Sequence, residues 1–220
     1  GLSPATPPRR WPRQLDAAVA HLRRADPVMR RLIDSVGELG RRGRRPVDRD
    51  DHYGALVRSI VGQQLSSKAA YAINTRMLER FGGRPPRPTE ILGSEPEELR
   101  AAVGLSRAKV GFLRSLAEHV LSGELELERM DTLPDHEVVR ELVAVKGIGE
   151  WTAHMFLIFH LERPDVLAVG DLGIRAAIRR AYGLPELPAP AEMESIARPW
   201  RPHRSTACRF LWRSLDNEPA

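Results

Sequence analysis

Cysteine is nearly absent from this chain of 220 residues, since Cys208 is the only one. One thiol cannot form an intramolecular disulfide bond, and it cannot supply a zinc or iron–sulfur site built from several cysteines. The sequence contains no run of 18 apolar residues, so we expect no transmembrane helix. The first 14 residues, GLSPATPPRRWPRQ, lack the apolar core of a signal peptide. Together these absences favour a cytoplasmic protein.

Lysine is also scarce, because only Lys68, Lys109 and Lys146 stand among the 34 basic residues and the others are arginines. The formal net charge is +5, and residues 1–50 carry 12 arginines against 6 acidic residues. A second basic stretch, residues 196–214, holds five arginines and no acidic residue. Such a distribution is typical of proteins that bind nucleic acid or another polyanion. The alternative is that the arginines reflect the base composition of the genome.

Apolar residues recur with helical spacing along most of the chain, and no segment alternates in the manner of a β-strand. Asp26-Pro27 has the pattern of a helix N-cap followed by proline at the first helical position. The sequence therefore predicts an all-α fold. Residues 1–14, which are basic and rich in proline, are expected to form a flexible arm ahead of the helical domain.

A short turn with two glycines stands in the segment 142–155, LVAVKGIGEWTAHM, between two predicted helices. Glycine allows another backbone to approach closely. The amides of Gly147, Ile148 and Gly149 are expected at the N-terminus of the second helix, where the positive end of the helix dipole binds phosphate. Lys146 adds a positive charge to this turn. The alternative is an ordinary connection between two helices that glycines cap.

Four segments, in this order, resemble the helix-hairpin-helix base-excision DNA glycosylases, and the resemblance is closest to the 3-methyladenine DNA glycosylase II family. The segments are SIVGQQLSSKAA at 59–70, GLSRAKVGFLRSLA at 104–117, GIGEWTA at 147–153 and WRPHRSTACRFLW at 200–212. The resemblance spans about residues 50–215. It implies the compact, all-helical version of the fold, in which residues 15–220 form two helical lobes, 15–49 plus 160–220 and 50–159.

The resemblance also implies a catalytic aspartate, and Asp171 matches it. A carboxylate beside the sugar would stabilise the positive charge that develops when the N-glycosidic bond breaks, or orient the attacking water. Asp171 also directly precedes a predicted helix, so the alternative is a simple N-cap. Bifunctional relatives carry a lysine after the residue that corresponds to Glu150, where this chain has Trp151. We therefore expect simple hydrolysis without a lyase step.

A base in duplex DNA must be flipped out of the helix before its glycosidic bond can be reached. An electron-rich aromatic pocket would hold a cationic alkylated purine. The resemblance implies a base pocket formed by Trp151, Trp212, Met155 and Leu172. Some relatives have tyrosines at the positions of Met155 and Leu172. For the two tryptophans, the alternative is packing in the core.

The remaining contacts that the resemblance implies are with the DNA backbone and the helical stack. Gln63 and Gln64 would fill the gap that the flipped base leaves, with Gln64 at the intercalating position; the alternative is a solvent-exposed turn. Arg204 would join the hairpin turn in binding phosphate. Backbone carbonyls of the hairpin would hold a structural monovalent cation. Those carbonyls belong to Val143, Val145 and Ile148.

These patterns predict a monomeric, monofunctional DNA N-glycosylase of base excision repair, associated with the nucleoid and active without a cofactor. It would hydrolyse the N-glycosidic bond of 3-methyladenine and 7-methylguanine in double-stranded DNA. Two alternatives stay open. One is a non-catalytic helix-hairpin-helix DNA-binding module, and the other is a helical protein-interaction domain whose arginines reflect composition alone.

Overall fold

The computed structural model describes residues 11–39 and 51–215, and those residues form helices and connecting turns without any β-strand. The all-α prediction is therefore confirmed. The α-helices are α1 (Trp11–Ala25), α2 (Pro27–Val36), α3 (His52–Gly62), α4 (Ser67–Arg80), α5 (Pro88–Gly93), α6 (Pro96–Val103), α7 (Arg107–Ser122), α8 (Asp135–Val143), α9 (Glu150–Met155), α10 (Leu172–Tyr182), α11 (Pro190–Ala197) and α12 (Arg204–Ser214). A π-helix, Phe156–His160, continues α9, and 3₁₀ turns lie at Leu127–Arg129 and Arg198–Trp200. None of the helices in these two described ranges is long and apolar enough to span a membrane.

Two compact units make up the chain. Among the described residues, the first unit combines 11–39 with 164–215, and its helices are α1, α2 and α10 to α12. Among the described residues, the second unit contains 51–163, with α3 to α9 and the π-helix. Each unit has buried apolar residues of its own, such as Leu22 and Phe210 in the first and Leu56 and Leu113 in the second.

A buried carboxylate organises the first unit. Asp26 is 7% exposed and caps α2, because its Oδ1 accepts hydrogen bonds from the amides of Val28 at 2.8 Å and Met29 at 3.4 Å. Its other oxygen accepts from the indole of Trp200 at 2.9 Å and from the hydroxyl of Tyr182. Trp200 is fully buried, so its ring packs in the core of this unit. Helix α12 lies beside α2 and α10 in the same core.

The second unit is built around α3, which packs against α4, α7 and the π-helix. The π-helix brings His160 to α3, where His160 Nε2 lies 2.8 Å from His52 Nδ1. Phe156 stacks on the His160 ring, with centroids 5.0 Å apart. After the π-helix, the guanidinium of Arg163 donates to the carbonyls of Leu133 at 2.9 Å and Met130 at 2.7 Å. These contacts fix the end of the second unit before the chain returns to the first.

Some boundaries differ from those that the sequence predicts. Helix α1 begins at Trp11, so residues 11–14 are helical although the sequence assigned them to the flexible arm. The rest of that arm, residues 1–10, lies outside the described residues. Helices α5 and α11, each of which begins with a proline, were not predicted from the sequence.

Candidate active site and nucleic-acid interface

Asp171 is held at the N-terminus of α10 and is only 8% exposed. Its Oδ1 accepts a hydrogen bond of 2.8 Å from the amide of Ile174, which is the N-cap contact that the sequence predicted as an alternative. The same oxygen accepts a second hydrogen bond of 2.7 Å from the indole nitrogen of Trp212. Two hydrogen bonds to one oxygen limit the rotation of the carboxyl group. The fold thus holds a buried, oriented carboxylate at the position that the resemblance assigns to catalysis.

Trp212 lies in the interior of the first unit rather than on its surface. The side chain is 1% exposed, on a helix whose neighbouring residues Phe210 and Leu211 are also buried. The core packing that the sequence left as an alternative therefore describes this structure, with the indole directed at Asp171. Stacking of Trp212 on a flipped base stays a prediction, because it requires ring surface that this conformation covers.

The other three predicted pocket residues differ in exposure. Trp151, in the first turn of α9, is 39% exposed, and Met155 on the next turn of the same face is 8% exposed. Both belong to the second unit. Leu172 directly follows Asp171 in the first unit and is 64% exposed. A large apolar side chain so exposed is available for contact with a ligand.

The turn between α8 and α9 depends on its first glycine. Gly147 has φ of +95°, a left-handed conformation that residues with a Cβ atom rarely adopt. A Cβ atom there would lie 2.2 Å from Cγ of Phe112, so the ring packs directly on the glycine. Gly149 differs, because it is the N-cap of α9 with φ of −92° and a Cβ atom would meet nothing within 4 Å. The open side of the turn therefore lies at Gly149.

One of the three predicted phosphate-binding amides is already used inside the turn. The amide of Ile148 donates to the carbonyl of Val145 at 3.1 Å, which closes the turn, so the expectation of three free amides is wrong for Ile148. Within the part of the chain that the structure describes, the amides of Gly147 and Gly149 donate to no protein acceptor. Lys146 is exposed beside them.

The two predicted intercalating residues have different environments. Gln63 is half-buried, and its side-chain amide donates to the carbonyl of Gly147 at 2.8 Å and to the hydroxyl of Thr152 at 3.4 Å. Its side chain is thereby bound to the hairpin. Gln64 is exposed and has φ of +58°, which is uncommon for a residue other than glycine. Of the pair, Gln64 is the residue whose side chain projects into solvent.

Arg204 forms ion pairs inside the first unit, which argues against its predicted role in binding phosphate. Its Nε donates to Asp165 at 2.8 Å and its Nη1 to Glu194 at 3.0 Å. The side chain is only 11% exposed. Asp165 also accepts from the amide of Arg204 at 3.2 Å, so it caps α12. A guanidinium that is buried between two carboxylates has its charge neutralised locally.

The carbonyls predicted to hold a cation come from the end of α8 and the turn. Val145 and Ile148 are buried, whereas Val143 is 41% exposed. The carbonyl of Val145 already accepts from Ile148, but a carbonyl oxygen has a second lone pair. Among the described residues, no cluster of three or more histidine, cysteine, aspartate or glutamate side chains could hold a metal ion. The cation site stays a prediction that rests on main-chain oxygens.

Sequence reasoning missed two residues of α7 that contact the hairpin turn and the end of α3. Phe112 packs on Gly147, and Lys109 binds the end of α3 through hydrogen bonds to the carbonyls of Val61 and Gln63. Both lie on α7, within a segment whose resemblance was noted. Nothing in the spacing of residues indicates these partners, because they are more than 30 residues away along the chain.

Comparisons with known proteins agree with this arrangement. Residues 57–202 match the model of the family described as HhH-GPD superfamily base excision DNA repair protein. DNA-3-methyladenine glycosylase 1 of Schizosaccharomyces pombe is 36% identical over 202 residues, which cover 91% of this chain and 87% of that protein. The solved structure of S. pombe 3-methyladenine DNA glycosylase in complex with abasic DNA matches with a TM-score of 0.77 at 36% identity, covering 89% of this chain and 95% of that one. A DNA-3-methyladenine glycosidase from Bacillus halodurans matches with a TM-score of 0.75 at 34% identity, covering 91% and 94%.

Proposed function

The chain belongs to the HhH-GPD superfamily of base excision DNA repair proteins, and from this premise we propose its substrates and its site residues. It is a monofunctional DNA glycosylase that hydrolyses the N-glycosidic bond of alkylated purines, with 3-methyladenine and 7-methylguanine as substrates. The observation that carries the proposal is the buried carboxylate of Asp171, held by Trp212 and by the N-terminus of α10. Because its substrate is DNA, the proposal favours the cytoplasmic, nucleoid-associated location that is expected from the sequence.

The chemistry of these substrates suits a site with one carboxylate. A purine alkylated at N3 or N7 carries a positive charge, so it leaves as a neutral base when it takes the electron pair of the glycosidic bond. No acid is needed to protonate the leaving base. Positive charge develops on the sugar instead, and the ionised carboxylate of Asp171 would stabilise it. A water molecule then attacks C1′ and gives its proton to that carboxylate or to solvent.

Hydrolysis without a lyase step follows from the residue after Glu150. Trp151 stands where bifunctional relatives carry a lysine, and an indole cannot form a Schiff base with the sugar. Lys146 is the lysine of the hairpin, and it precedes Gly147 in the turn rather than lying on α9. The product is therefore an intact strand with an abasic site.

We assign the DNA-backbone contact to the open side of the hairpin turn. The amides of Gly147 and Gly149 and the charge of Lys146 would bind one phosphate, at the start of a helix that the π-helix extends to His160. Gln64 would enter the stack, and Trp151 and Met155 would hold the flipped base. Contact of Leu172 with the base stays a prediction. Trp212 would orient the carboxylate of Asp171 through the hydrogen bond from its indole nitrogen. A cation on the carbonyls of Val143, Val145 and Ile148 would add positive charge at the hairpin, since main-chain oxygens suit hard cations.

Release of free base from methylated duplex DNA tests the proposal. The purified chain is incubated in excess over methylated DNA, and the released bases are separated and quantified. Free 3-methyladenine and 7-methylguanine are expected, with strand breaks appearing only after alkaline treatment. Binding without release of either base would favour the non-catalytic DNA-binding module. Strand breaks without alkali would contradict the monofunctional assignment.

A further inference from the structure

Gln64 lies at the sharpest point of a turn whose conformation is unfavourable for its residue type. The amide of Leu65 donates to the carbonyl of Gly62 at 3.3 Å, so residues 62–65 form a β-turn. Gln63 has φ of −54° and ψ of 133°, and Gln64 has φ of +58°. These values define a type II turn, in which the third position normally requires glycine or asparagine. Something outside the turn must therefore favour this conformation over the type I alternative.

Lys109 supplies that contact from the neighbouring helix α7. Its Nζ donates hydrogen bonds of 2.7 Å to the carbonyl of Gln63 and 2.7 Å to the carbonyl of Val61. A cation is unfavourable in the first turn of its own helix, where the helix dipole is positive. The carbonyls at the end of α3 compensate, because they lack helical partners and carry the negative end of that dipole. The ammonium thus serves as the C-terminal cap of α3.

The position of the bound carbonyl explains how this contact acts on Gln64. Type I and type II turns differ by a flip of the central peptide, which here joins Gln63 to Gln64. The oxygen of that peptide is the Gln63 carbonyl, and a flip would turn it away from Lys109. We propose that Lys109 is a positioning residue, which holds the central peptide in the type II orientation and thereby aims the side chain of Gln64 at the DNA stack. This inference rests on the proposed insertion of Gln64.

Gln63 joins the same turn to the hairpin. Its backbone carbonyl is bound by Lys109, while its side-chain amide donates to the carbonyl of Gly147 at 2.8 Å. Gly147 in turn packs on Phe112, one helical turn after Lys109 on α7. The turn that carries Gln64 and the turn that would bind phosphate therefore share one support within the second unit. A phosphate fixed at the hairpin would set the place at which Gln64 enters the duplex.

The test compares Lys109→Met, Gln64→Ala and the double variant. Lys68→Met is the matched control, because it removes the same charge from an exposed lysine on the adjacent helix α4. Insertion is followed by the fluorescence of 2-aminopurine placed beside a tetrahydrofuran abasic site in duplex DNA. Single-turnover release of 7-methylguanine and affinity for undamaged duplex are measured in parallel. Melting temperatures report folding. Lys109→Gln, which keeps donor hydrogens, is measured beside the methionine variant, and we expect it to recover part of the insertion signal that Lys109→Met loses, whereas equal signals in the two variants would contradict a role of the donated hydrogen bonds.

Lys109→Met is expected to lower the insertion signal and to slow base release by about tenfold, because the unfavourable φ of Gln64 must then be restored before chemistry. Gln64→Ala is expected to lower both to a similar extent, because it removes the side chain that enters the stack. Affinity for undamaged duplex should change by less than about threefold, because the phosphate contacts remain. The double variant should be no worse than Gln64→Ala, since the lysine acts through the glutamine. Lys68→Met should match the parent in the insertion signal.

Two results would overturn the positioning role while leaving the insertion of Gln64 intact. One is a fully active Lys109→Met beside an impaired Gln64→Ala, and the other is losses that multiply in the double variant. If Gln64→Ala itself inserts and excises normally, the proposed role of Gln64 fails, and the role of Lys109 fails with it.

Discussion

The indole nitrogen of Trp212 donates a hydrogen bond of 2.7 Å to Oδ1 of Asp171, and the amide of Ile174 donates to the same oxygen at 2.8 Å. The carboxylate is therefore fixed by two donors from two different helices of the first unit. Each donor stabilises the negative charge and limits rotation of the carboxyl group. A residue that must face a developing positive charge benefits from such restraint, because it need not reorganise during the reaction.

Replacement of Trp212 by phenylalanine separates two roles of this residue. Trp212→Phe keeps an aromatic ring but loses the N–H donor. If the residue orients Asp171, base release should fall by roughly 10- to 100-fold, the equivalent of one hydrogen bond to a charged group. Affinity for undamaged duplex should stay close to that of the parent. Single-turnover release from methylated DNA measures the effect.

The opposite pattern would assign Trp212 to the flipped base. A stacking residue tolerates phenylalanine, because the ring is retained, but does not tolerate alanine. Near-normal release by Trp212→Phe together with a large loss in Trp212→Ala would therefore argue against orientation of Asp171. Melting temperatures for both variants separate these outcomes from loss of the core.

The two glycines of the hairpin should respond differently to alanine. Gly147→Ala combines a positive φ with a contact of 2.2 Å to Phe112, so we expect it to lower the melting temperature substantially, at a cost of roughly 2 kcal/mol or more. Gly149→Ala has space for its Cβ and an ordinary φ, so the fold should be retained. Its methyl group would lie where phosphate approaches and should weaken binding to damaged and undamaged duplex alike.

Thermal unfolding and duplex affinity check this pair of variants, and each serves as the control for the other. A Gly147→Ala protein that melts like the parent would contradict the packing of Phe112 on the turn. A Gly149→Ala protein that is folded and binds duplex as tightly as the parent would show that the open side of the turn does not face the DNA backbone.

Local patterns in the sequence predicted much of the helical framework. Asp26-Pro27 and Asp171 were expected to cap helices, and both do so through their side chains. Such features depend on neighbours within one turn of the chain, so they can be inferred without tertiary structure.

Features that depend on distant partners were missed. Arg204 belongs to a basic stretch and was expected to bind phosphate, but Asp165 and Glu194 fold back on it. The π-helix, which packs against α3, was also missed. The different environments of Gln63 and Gln64 are a third case, because they depend on the hydrogen bonds of Gln63 with Lys109 and Gly147.

Arg204→Ala should reduce stability rather than DNA affinity. The change removes the cation that Asp165 and Glu194 share, which is unfavourable above all for Asp165, whose side chain is only 24% exposed. We expect a lower melting temperature. The dependence of duplex affinity on salt should keep its slope, whereas loss of a phosphate contact would reduce that slope by about 1. A salt titration of the folded variant decides between these outcomes.

Stability should fall on mild acidification because of His160. Burial, with His52 and Arg58 nearby, lowers the pKa of His160 from 6.5 to about 4, although Asp131 and Asp51 oppose this. The unfolded chain binds this proton at a higher pH than the folded one. The contribution to stability is therefore complete above about pH 6.5 and is lost as the pH falls towards 4.

Melting temperatures measured at about pH 7.5 and about pH 5 test this prediction. His160→Gln should narrow the difference between the two temperatures, and the exposed His136→Gln should not. An equal pH response in the parent and in His160→Gln would place the acid sensitivity elsewhere in the protein.

Asp171→Asn is the most direct test of catalysis, because the amide is nearly the same size and its oxygen can still accept from Ile174 and Trp212. If Asp171 is only an N-cap, the variant should lose a few tenths of a kcal/mol in stability and keep its full activity. If it is catalytic, folding and duplex affinity should stay close to normal while base release falls by about 10²-fold or more. Asparagine can neither balance the charge on the sugar nor take a proton from water. Single-turnover release of 3-methyladenine, measured beside melting temperatures, distinguishes these outcomes, and equal rates for the two proteins would rule out the proposed role of the carboxylate.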